Sequence, residues 1–435
     1  MLYFISLILL GLIFLLRKLF SNYYFTPTGF LAITWITFIF LKFLVASDYY
    51  FSLHAVVLFV IFIFSFFIGE LFMFLYLSKE RNSIILQFID KVNLEADLEI
   101  FKQKKVIRTF NLILIVLGSL SFLGSLLYLQ YFVRYFGSVS NVLTAGWALR
   151  GALEEINIPL IIRAILLLGY SSIILILVHF ILYNKFRWFF LLPFISMLIM
   201  GITQAGRAGF MMILFQIFIM SFWRQIFKNV TSETGKLSFV KGPEYKMIKS
   251  SFRLVLFVAI IFVGGDMLRS QDFSFNSEII EQGLTSFKAY LFGGIAAFCT
   301  YLNEYRFQDL GWGRFSFSSL YELLGIHKNT LGIYVNYLRI SSVDPNEDTN
   351  IFTAFRQFMD DFGIVGTVLL MMILGALSNV FFRKAVKGDI ASIAFMIVLY
   401  TFIFHTPLLS ITAHTSVLIS AILPYVLIKM IKIKY

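Results

Sequence analysis

The sequence predicts an all-α polytopic membrane protein, and three observations lead to this fold class. Apolar residues make up 59% of the chain and charged residues only 14%, whereas soluble domains are about half apolar and a quarter charged. Apolar stretches recur along the whole length, each long enough to cross a hydrocarbon core of about 30 Å. The basic residues between these stretches are unevenly divided between alternate loops. We therefore expect a single integral membrane domain, 1–435, with about 11 transmembrane helices and one large extracytoplasmic loop.

The first predicted span is an apolar run without a basic n-region or a small-residue cleavage site, so we interpret it as a helix and not as a signal peptide. Later spans follow the recurring apolar stretches. The only cysteine, Cys299, excludes an internal disulfide and a cysteine-rich metal cluster. In chain order, the predicted spans are 2–16, 28–46, 51–77, 109–131, 159–183, 188–203, 208–223, 252–267, 362–382, 390–409 and 412–428.

The distribution of basic residues predicts the orientation of these spans. Loops on one side carry 24 Lys and Arg residues, whereas the longer segments of the other side carry 10. Because cytoplasmic loops are the richer in Lys and Arg, we expect the N-terminus outside and the C-terminus inside. The net charge of +12 is then explained by topology, and no nucleic-acid partner is needed.

The connecting segments fall into two classes. Residues 78–108 mix basic, acidic and apolar side chains in a pattern typical of an amphipathic helix on the cytoplasmic membrane surface. Residues 132–158 and 268–361 are predicted outer loops. The second is too aromatic for disorder, and loops of this length are usually functional. Within it, we interpret 286–303 as a re-entrant or interfacial helix, because a full span there would reverse the orientation of the basic C-terminal segments.

The outer side is rich in arginine. Of its 10 basic residues, only Lys288 and Lys328 are lysines. The planar guanidinium group is preferred where phosphate or carboxylate must be held, so the set predicts an anionic ligand at the outer surface. The alternative for any single arginine is a pair with a nearby acid. The arginines concerned are Arg134, Arg150, Arg207, Arg269, Arg306, Arg314, Arg339 and Arg356, with Arg163 about one turn inside its helix.

Two segments carry the sharpest candidates. Arg207 lies in a very short outer turn without a local carboxylate, and an unpaired charge at the membrane boundary is a functional candidate, with snorkelling as the alternative. Residues 350–363 contain Arg356 and the adjacent carboxylates Asp360 and Asp361, followed by Gly363 and Gly366, which permit close helix approach. Arg356 and Asp360 are also spaced as a simple helical ion pair.

Weaker candidates lie elsewhere in the large loop. Glu304 and Arg306 flank a tyrosine, and Arg314 follows Trp312 and Gly313, a combination that suits sugar stacking beside phosphate binding or an interfacial belt. His327 is a possible base, although a single loop histidine is more often inert. The sequence contains no HExxH, no His/Cys cluster and no outer DxD, so neither a metal nor another cofactor is expected.

The chain resembles the Wzy-type oligosaccharide repeat-unit polymerases of bacteria, the O-antigen and capsule polymerases. The resemblance is carried by the helical frame with a large late outer loop, by the Gly206-Arg207 turn, and by a third element. That element is Asn350-Ile351-Phe352-Thr353 followed by Asp361-Phe362-Gly363 and Gly366, which is similar to N-x-[YF]-T…D-F-G-x-x-G.

The resemblance implies a polymerase of the bacterial cytoplasmic membrane with an outward-facing active site. Such an enzyme transfers a glycan from undecaprenyl pyrophosphate to the non-reducing end of a new lipid-linked repeat unit. Its expected partners are this lipid-linked oligosaccharide, membrane lipid, a chain-length regulator and a flippase. Pyrophosphate-binding roles fall on Arg207, Arg314, Arg356, Arg150, Arg163 and Arg306, and the base is sought among Asp361, Glu304, His327 and Asp360.

Three alternatives remain at this level. An O-antigen ligase would use the same donor with a different acceptor. A flippase for the lipid-linked sugar would place charges along a path through the spans, where Lys42, Glu70 and Arg163 are almost the only ones. The third alternative is a non-catalytic scaffold of a polysaccharide assembly complex.

Overall fold

A computed structural model describes residues 1–17, 25–79, 99–145, 148–203, 208–231, 260, 264, 277–305, 309–326, 334 and 336–435. It is about 81% helical, which confirms the all-α class. The helices are α1 (Leu2–Leu16), α2 (Pro27–Val45), α3 (Leu53–Lys79), α4 (Lys104–Phe136), α5 (Val139–Thr144), α6 (Ala148–Glu155), α7 (Leu160–Leu166), α8 (Leu168–Tyr183), α9 (Leu191–Thr203), α10 (Ala208–Thr231), α11 (Ser277–Glu304), α12 (Ser318–Leu323), α13 (Ala354–Val386), α14 (Ile390–His405) and α15 (Thr415–Lys434). The strands are β1 (Leu338–Arg339) and β2 (Asp348–Thr349).

Seven helical segments in the described ranges are long and apolar enough to cross a membrane, which confirms a multi-pass membrane protein. They are Pro27–Val45, Leu53–Ser78, Lys104–Phe136, Leu160–Tyr183, Gly209–Lys228, Ala354–Val386 and Thr415–Lys434. Shorter apolar helices at Leu2–Leu16, Trp188–Thr203 and Ile390–His405 coincide with three further predicted spans. The predicted span 252–267 lies almost entirely outside the described residues. The count of eleven stays a prediction.

The chain divides into two compact units that interleave along the sequence. Unit 1 comprises Met1–Lys91, Ser286–Arg383 and Phe402–His414, and unit 2 comprises Val92–Thr285, Lys384–Thr401 and Thr415–Tyr435. Most of the predicted large outer loop, 268–361, therefore belongs to unit 1. The segment 286–303 lies within α11, and its membrane depth stays a prediction.

Unit 1 contains a very close approach of the α3 and α13 backbones. A Cβ placed on Gly69 would lie 1.8 Å from the Met372 carbonyl oxygen, and one on Gly375 would lie 2.0 Å from the Phe66 carbonyl oxygen. Only glycine permits such contact. The sequence predicted close helix approach at Gly363 and Gly366, but the structure places it here, whereas Gly363 breaks the helix, as described below.

The first residues of α13 are fixed by the buried interior of unit 1. Trp35 stacks on Phe355 with ring centroids 5.0 Å apart, and its indole Nε1 donates to Thr406 Oγ1 at 3.0 Å. The Ala354 N–H donates to the Thr406 carbonyl at 2.9 Å. Buried aromatic pairs and hydrogen bonds restrict the position of a helix end. The start of α13 therefore has a defined position against Trp35 of α2 and against Thr406.

A small hairpin ties the large loop to the α2–α3 connection. Strands β1 and β2 pair antiparallel, with Leu338 opposite Thr349 and Arg339 opposite Asp348. The Tyr50 N–H donates to the Ile340 carbonyl, and the Ser342 N–H donates to the Asp48 carbonyl, both at 2.9 Å. This part of the predicted loop is therefore ordered by backbone pairing and leads directly into the residues before α13.

Unit 2 is built around α4, α8, α9 and α15. Ser121 on α4 and Ser196 on α9 share a buried hydroxyl–hydroxyl hydrogen bond of 2.8 Å. The predicted outer loop 132–158 carries the end of α4 together with α5 and α6. At the start of α14, buried Asp389 accepts from Lys429 Nζ at 2.7 Å and from the Ser392 N–H at 3.0 Å. Residues 80–98 of the predicted amphipathic segment 78–108 lie outside the described residues.

Candidate functional site

The first arm of α13, residues 354–362, carries a polar face in an otherwise apolar helix. The helix is interrupted at Gly363, whose φ of 66° and ψ of −178° are non-helical and strongly favour glycine. On this arm Arg356 and Gln357 lie four and three residues before Asp360, and Thr353 lies three and four residues before Arg356 and Gln357. Since residues at i, i+3 and i+4 are neighbours on a helix surface, Arg356 and Gln357 both lie next to Asp360 on this arm.

The Arg356 guanidinium is enclosed by aromatic rings. Its Cζ atom lies 3.6 Å from the Phe352 ring centroid, 4.0 Å from that of Tyr334 and 4.5 Å from that of Tyr301. These distances are within the range of cation–π attraction. Its Nε atom lies 3.4 Å from Asp360 Oδ2, and the side chain is 11% exposed. The cation is thus held in a nearly closed aromatic cup, which we call the Arg356 cup, with one carboxylate beside it.

The Asp360 carboxylate is bonded by two phenols. Tyr301 donates its hydroxyl to Oδ1 at 2.5 Å, and Tyr334 donates to Oδ2 at 2.6 Å. Burial, followed by the charge of Asp360, raises the pKa of the Tyr334 hydroxyl well above its ordinary value. The phenol therefore remains protonated and remains a donor at physiological pH. The Asp360 side chain is 13% exposed, so the carboxylate is not completely enclosed.

Local contacts explain how the two tyrosines reach this carboxylate. Asn350 Nδ2 donates to the Tyr334 carbonyl at 3.3 Å, and the Phe352 ring meets the Tyr334 ring edge-on at 4.9 Å. Tyr301 lies on α11. This helix approaches the backbone at Pro407 closely, because a Cβ at Gly294 would lie 3.0 Å from the Pro407 carbonyl oxygen. The Asn350–Thr353 element is therefore built into the cup: Asn350 holds one wall and Phe352 forms another.

Asp361 has a different environment from its neighbour. It is fully buried, and its carboxylate accepts from the Phe315 N–H at 3.0 Å and the Ser316 N–H at 2.6 Å. Carboxylates commonly order turns by accepting backbone N–H groups in this way. Both oxygens are occupied by backbone donors of the turn 311–316, so Asp361 anchors that turn.

The helix break at Gly363 provides further anchors for the same turn. The Gly311 N–H donates to the Asp360 carbonyl at 2.9 Å, and the Trp312 N–H donates to the Asp361 carbonyl at 3.0 Å. In a continuous helix these carbonyls would accept from residues four positions later. A Cβ at Gly311 would lie 2.5 Å from Asp361 Oδ1, so this position requires glycine.

Buried polar atoms without a hydrogen-bond partner among the described residues occur on this arm of α13 and next to it. They are Arg356 Nη1, Thr353 Oγ1 and Gln357 Oε1, with Ser316 Oγ in the adjoining turn. An unsatisfied buried polar group costs about 1–3 kcal/mol. Several on or next to one helix face indicate a place where a hydrogen-bonding ligand or water is accommodated.

The remaining predicted site residues are dispersed or lie outside the described ranges. Arg314 is exposed on the 311–316 turn, with its Cζ atom 6.0 Å from the Phe315 ring centroid. Arg163 is exposed in unit 2 and donates from Nε to the Ile158 carbonyl at 3.1 Å. Arg150 is part of α6 and Glu304 ends α11. Arg207, Arg306 and His327 lie outside the described residues.

Sequence reasoning selected Arg356 and Asp360 but missed the residues that surround them. Tyr301 and Tyr334 come from 59 and 26 residues before Asp360, and only the fold brings them together. Thr353 and Gln357 carried a signal, because their helical spacing with Asp360 could have been read from the sequence. Within the described ranges no group of three or more His, Cys, Asp or Glu residues could hold a metal ion.

The Arg356 cup therefore combines a cation and a carboxylate with two phenolic donors, and buried polar atoms without a partner among the described residues lie near it in the sequence, all within unit 1. This arrangement can bind an anion and accept a proton at neighbouring positions. No protein-family model matches the chain, and neither does any curated protein or any solved structure.

Proposed function

We propose that this protein is a membrane glycosyltransferase of the polysaccharide-polymerase type. It transfers a glycan chain from undecaprenyl pyrophosphate to a new lipid-linked repeat unit at the outer face of the bacterial cytoplasmic membrane. The observation that carries the proposal is the pairing of Arg356 with Asp360 in one aromatic cup at the end of a long apolar helix. A transferase with a lipid-pyrophosphate donor needs a base for the acceptor hydroxyl and a cation for the leaving pyrophosphate.

Asp360 is the proposed general base. The acceptor hydroxyl gives its proton to the Asp360 carboxylate, and its oxygen forms a bond to the anomeric carbon of the donor sugar. The bond from that carbon to the pyrophosphate oxygen breaks, and its electron pair leaves with undecaprenyl pyrophosphate. A base must lie within hydrogen-bond reach of the proton it accepts. The Asp360 side chain is 13% exposed and accepts from two tyrosine hydroxyls, whereas Asp361 is fully buried and accepts from two backbone N–H groups. Glu304 and His327 are the other candidates.

Arg356 is the proposed pyrophosphate ligand. Its Nη1 atom has no partner among the described residues, and its Nε atom is only loosely paired with Asp360. A guanidinium aimed at the leaving group stabilises the negative charge that develops as the bond breaks. Arg207, Arg314, Arg306, Arg150 and Arg163 are proposed as supporting phosphate ligands, on their predicted outward position alone.

The deciding experiment is deletion of the gene in its host, followed by gel analysis of the surface polysaccharide. A ladder that collapses to a single repeat unit supports the polymerase. Full-length polymer that stays on its lipid carrier identifies a ligase instead. Absence of lipid-linked repeat units from the outer face identifies a flippase.

Complementation with variants then tests the proposed residues. Asp360→Asn and Arg356→Lys should each reduce polymer by about 100-fold or more, with normal membrane insertion. Asp309→Asn and Arg187→Lys are matched controls, because both residues are exposed and have no part in the proposal. Wild-type chain lengths in the Asp360 and Arg356 variants would refute the assignment.

A further inference from the structure

The turn 311–316 holds Trp312 in an unusual backbone conformation. Its φ of 51° is in the left-handed region, where a bulky residue is an outlier. Gly313 follows with a φ of 97°, a value that glycine readily adopts. Strained residues of this kind persist only where surrounding contacts fix them, and they concentrate at functional sites.

Among the described residues, the hydrogen bonds that hold Trp312 involve its backbone. Its N–H donates to the Asp361 carbonyl at 3.0 Å, and its carbonyl accepts from the Tyr321 hydroxyl at 2.7 Å. Its side chain is uncovered, since the residue is 71% exposed. The fold thus fixes the backbone N–H and carbonyl of this residue and leaves its indole ring exposed.

The turn is also joined to the Arg356 cup. The Phe315 ring stacks on the Tyr334 ring, with centroids 5.4 Å apart and planes inclined by 7°, and Tyr334 donates to Asp360. The Asp361 carboxylate grips the turn through Phe315 and Ser316. The backbone that carries the exposed indole is therefore tied, through Gly311 and Trp312, to the carbonyls of Asp360 and Asp361.

We propose that the Trp312 indole is the stacking platform for a sugar ring of the substrate, and that Asp361 is the positioning residue that holds this platform beside Asp360. This inference rests on the proposed function. A pyranose presents a flat face of C–H groups that packs on an aromatic plane. The neighbouring Arg314, exposed on the same turn, suits a polar or anionic substituent of the sugar.

The test uses the full-length protein in lipid vesicles, with lipid-linked repeat unit extracted from the host as substrate. Trp312→Ala should raise the KM for this substrate about tenfold or more, and kcat should change much less, because a platform acts in binding. Trp312→Tyr keeps an aromatic plane and should restore most of the affinity. Trp188→Ala is the matched control, since Trp188 is 73% exposed and lies in unit 2.

Two results would overturn the platform. One is an unchanged KM in Trp312→Ala. The other is quenching of the tryptophan fluorescence by bromine-labelled lipid, if this quenching is lost in Trp312→Phe. Such a result would show that the indole lies in the bilayer as an interfacial anchor.

Binding of the free repeat-unit saccharide separates this inference from the proposed function. Trp312-dependent binding by a wild-type protein that makes no polymer would support the platform and refute the polymerase. Polymer formation with equal saccharide binding by wild type and Trp312→Ala would support the polymerase and refute the platform.

Discussion

The adjacent carboxylates Asp360 and Asp361 offer the most direct test of this site, because the structure gives them opposite roles. We consider the isosteric changes Asp361→Asn and Asp360→Asn. Asp361 is fully buried and accepts two backbone N–H groups, whereas Asp360 is partly exposed and accepts two tyrosine hydroxyls. The first change should therefore affect stability and the second should mainly affect turnover.

The contacts set the magnitude for Asp361. A hydrogen bond to a charged group contributes about 1.5–3 kcal/mol. The asparagine amide retains one acceptor oxygen, but its NH₂ group faces a backbone N–H, so one charge-assisted bond is lost and a donor is left opposed to a donor. We expect a loss of about 3 kcal/mol. For a cooperative unit of about 200 residues this corresponds to a fall in Tm of roughly 6 °C or more.

Asp360→Asn has a different expected outcome. The phenols of Tyr301 and Tyr334 can still donate to the amide oxygen or to water, because this side chain has an exposed edge. We expect its Tm to stay close to wild type while polymer formation falls by about 100-fold or more, the contribution of a general base.

Thermal unfolding in detergent, followed by size-exclusion chromatography with fluorescence detection, measures the first effect, and the gel assay measures the second. Equal losses of Tm in the two variants would refute the division of roles. So would full activity in Asp360→Asn.

Three further predictions follow from the described contacts. Arg356→Lys should reduce polymer by about 100-fold or more, because an ammonium cannot present the planar fork of donors within the aromatic cup; the gel assay checks this, and normal polymer would contradict it. Gly375→Ala should lower the Tm by several degrees, because its Cβ would lie 2.0 Å from the Phe66 carbonyl oxygen and overpacking costs about 1–3 kcal/mol; the control Gly11→Ala, with no atom within 4 Å, should not. Burial acts to raise the pKa of Asp389, but the Lys429 charge and hydrogen bonds outweigh it and leave the pKa below its ordinary value. This stabilisation is complete above the unfolded pKa of about 4 and is lost as the pH falls below it, so Asp389→Asn should lower the Tm at neutral pH and flatten its acid dependence.

Much of the frame could be predicted from the sequence. Apolar stretches interrupted by charged loops predicted the multi-pass helical class because burial in a bilayer requires each span to be long and apolar. The same reasoning did not predict the first arm of α13. The predicted span 362–382 begins eight residues after the start of α13 at Ala354, because Arg356, Asp360 and Asp361 make this arm polar although it is helical.

The candidate site was only partly predictable. The chemistry of Arg356 and Asp360 was visible in their residue types, since a guanidinium and a carboxylate at helical spacing suit anion binding and proton transfer. The hydropathy pattern could not show that Asp360 and Asp361 have different roles. Their different roles depend on which donors face each carboxylate, and Phe315 and Ser316 lie more than 40 residues earlier in the chain.

The sequence by itself therefore determined the class of this protein and the residue types available for its chemistry, because membrane insertion depends on local composition along the chain. Only the tertiary structure decided where the chemistry is concentrated. The Arg356 cup is assembled from Tyr301 of α11, from Tyr334 and from the residues at the start of α13. The turn that contains Trp312 is held by carbonyls that the break at Gly363 leaves available. Contacts of this kind join residues distant in sequence, so no local pattern encodes them.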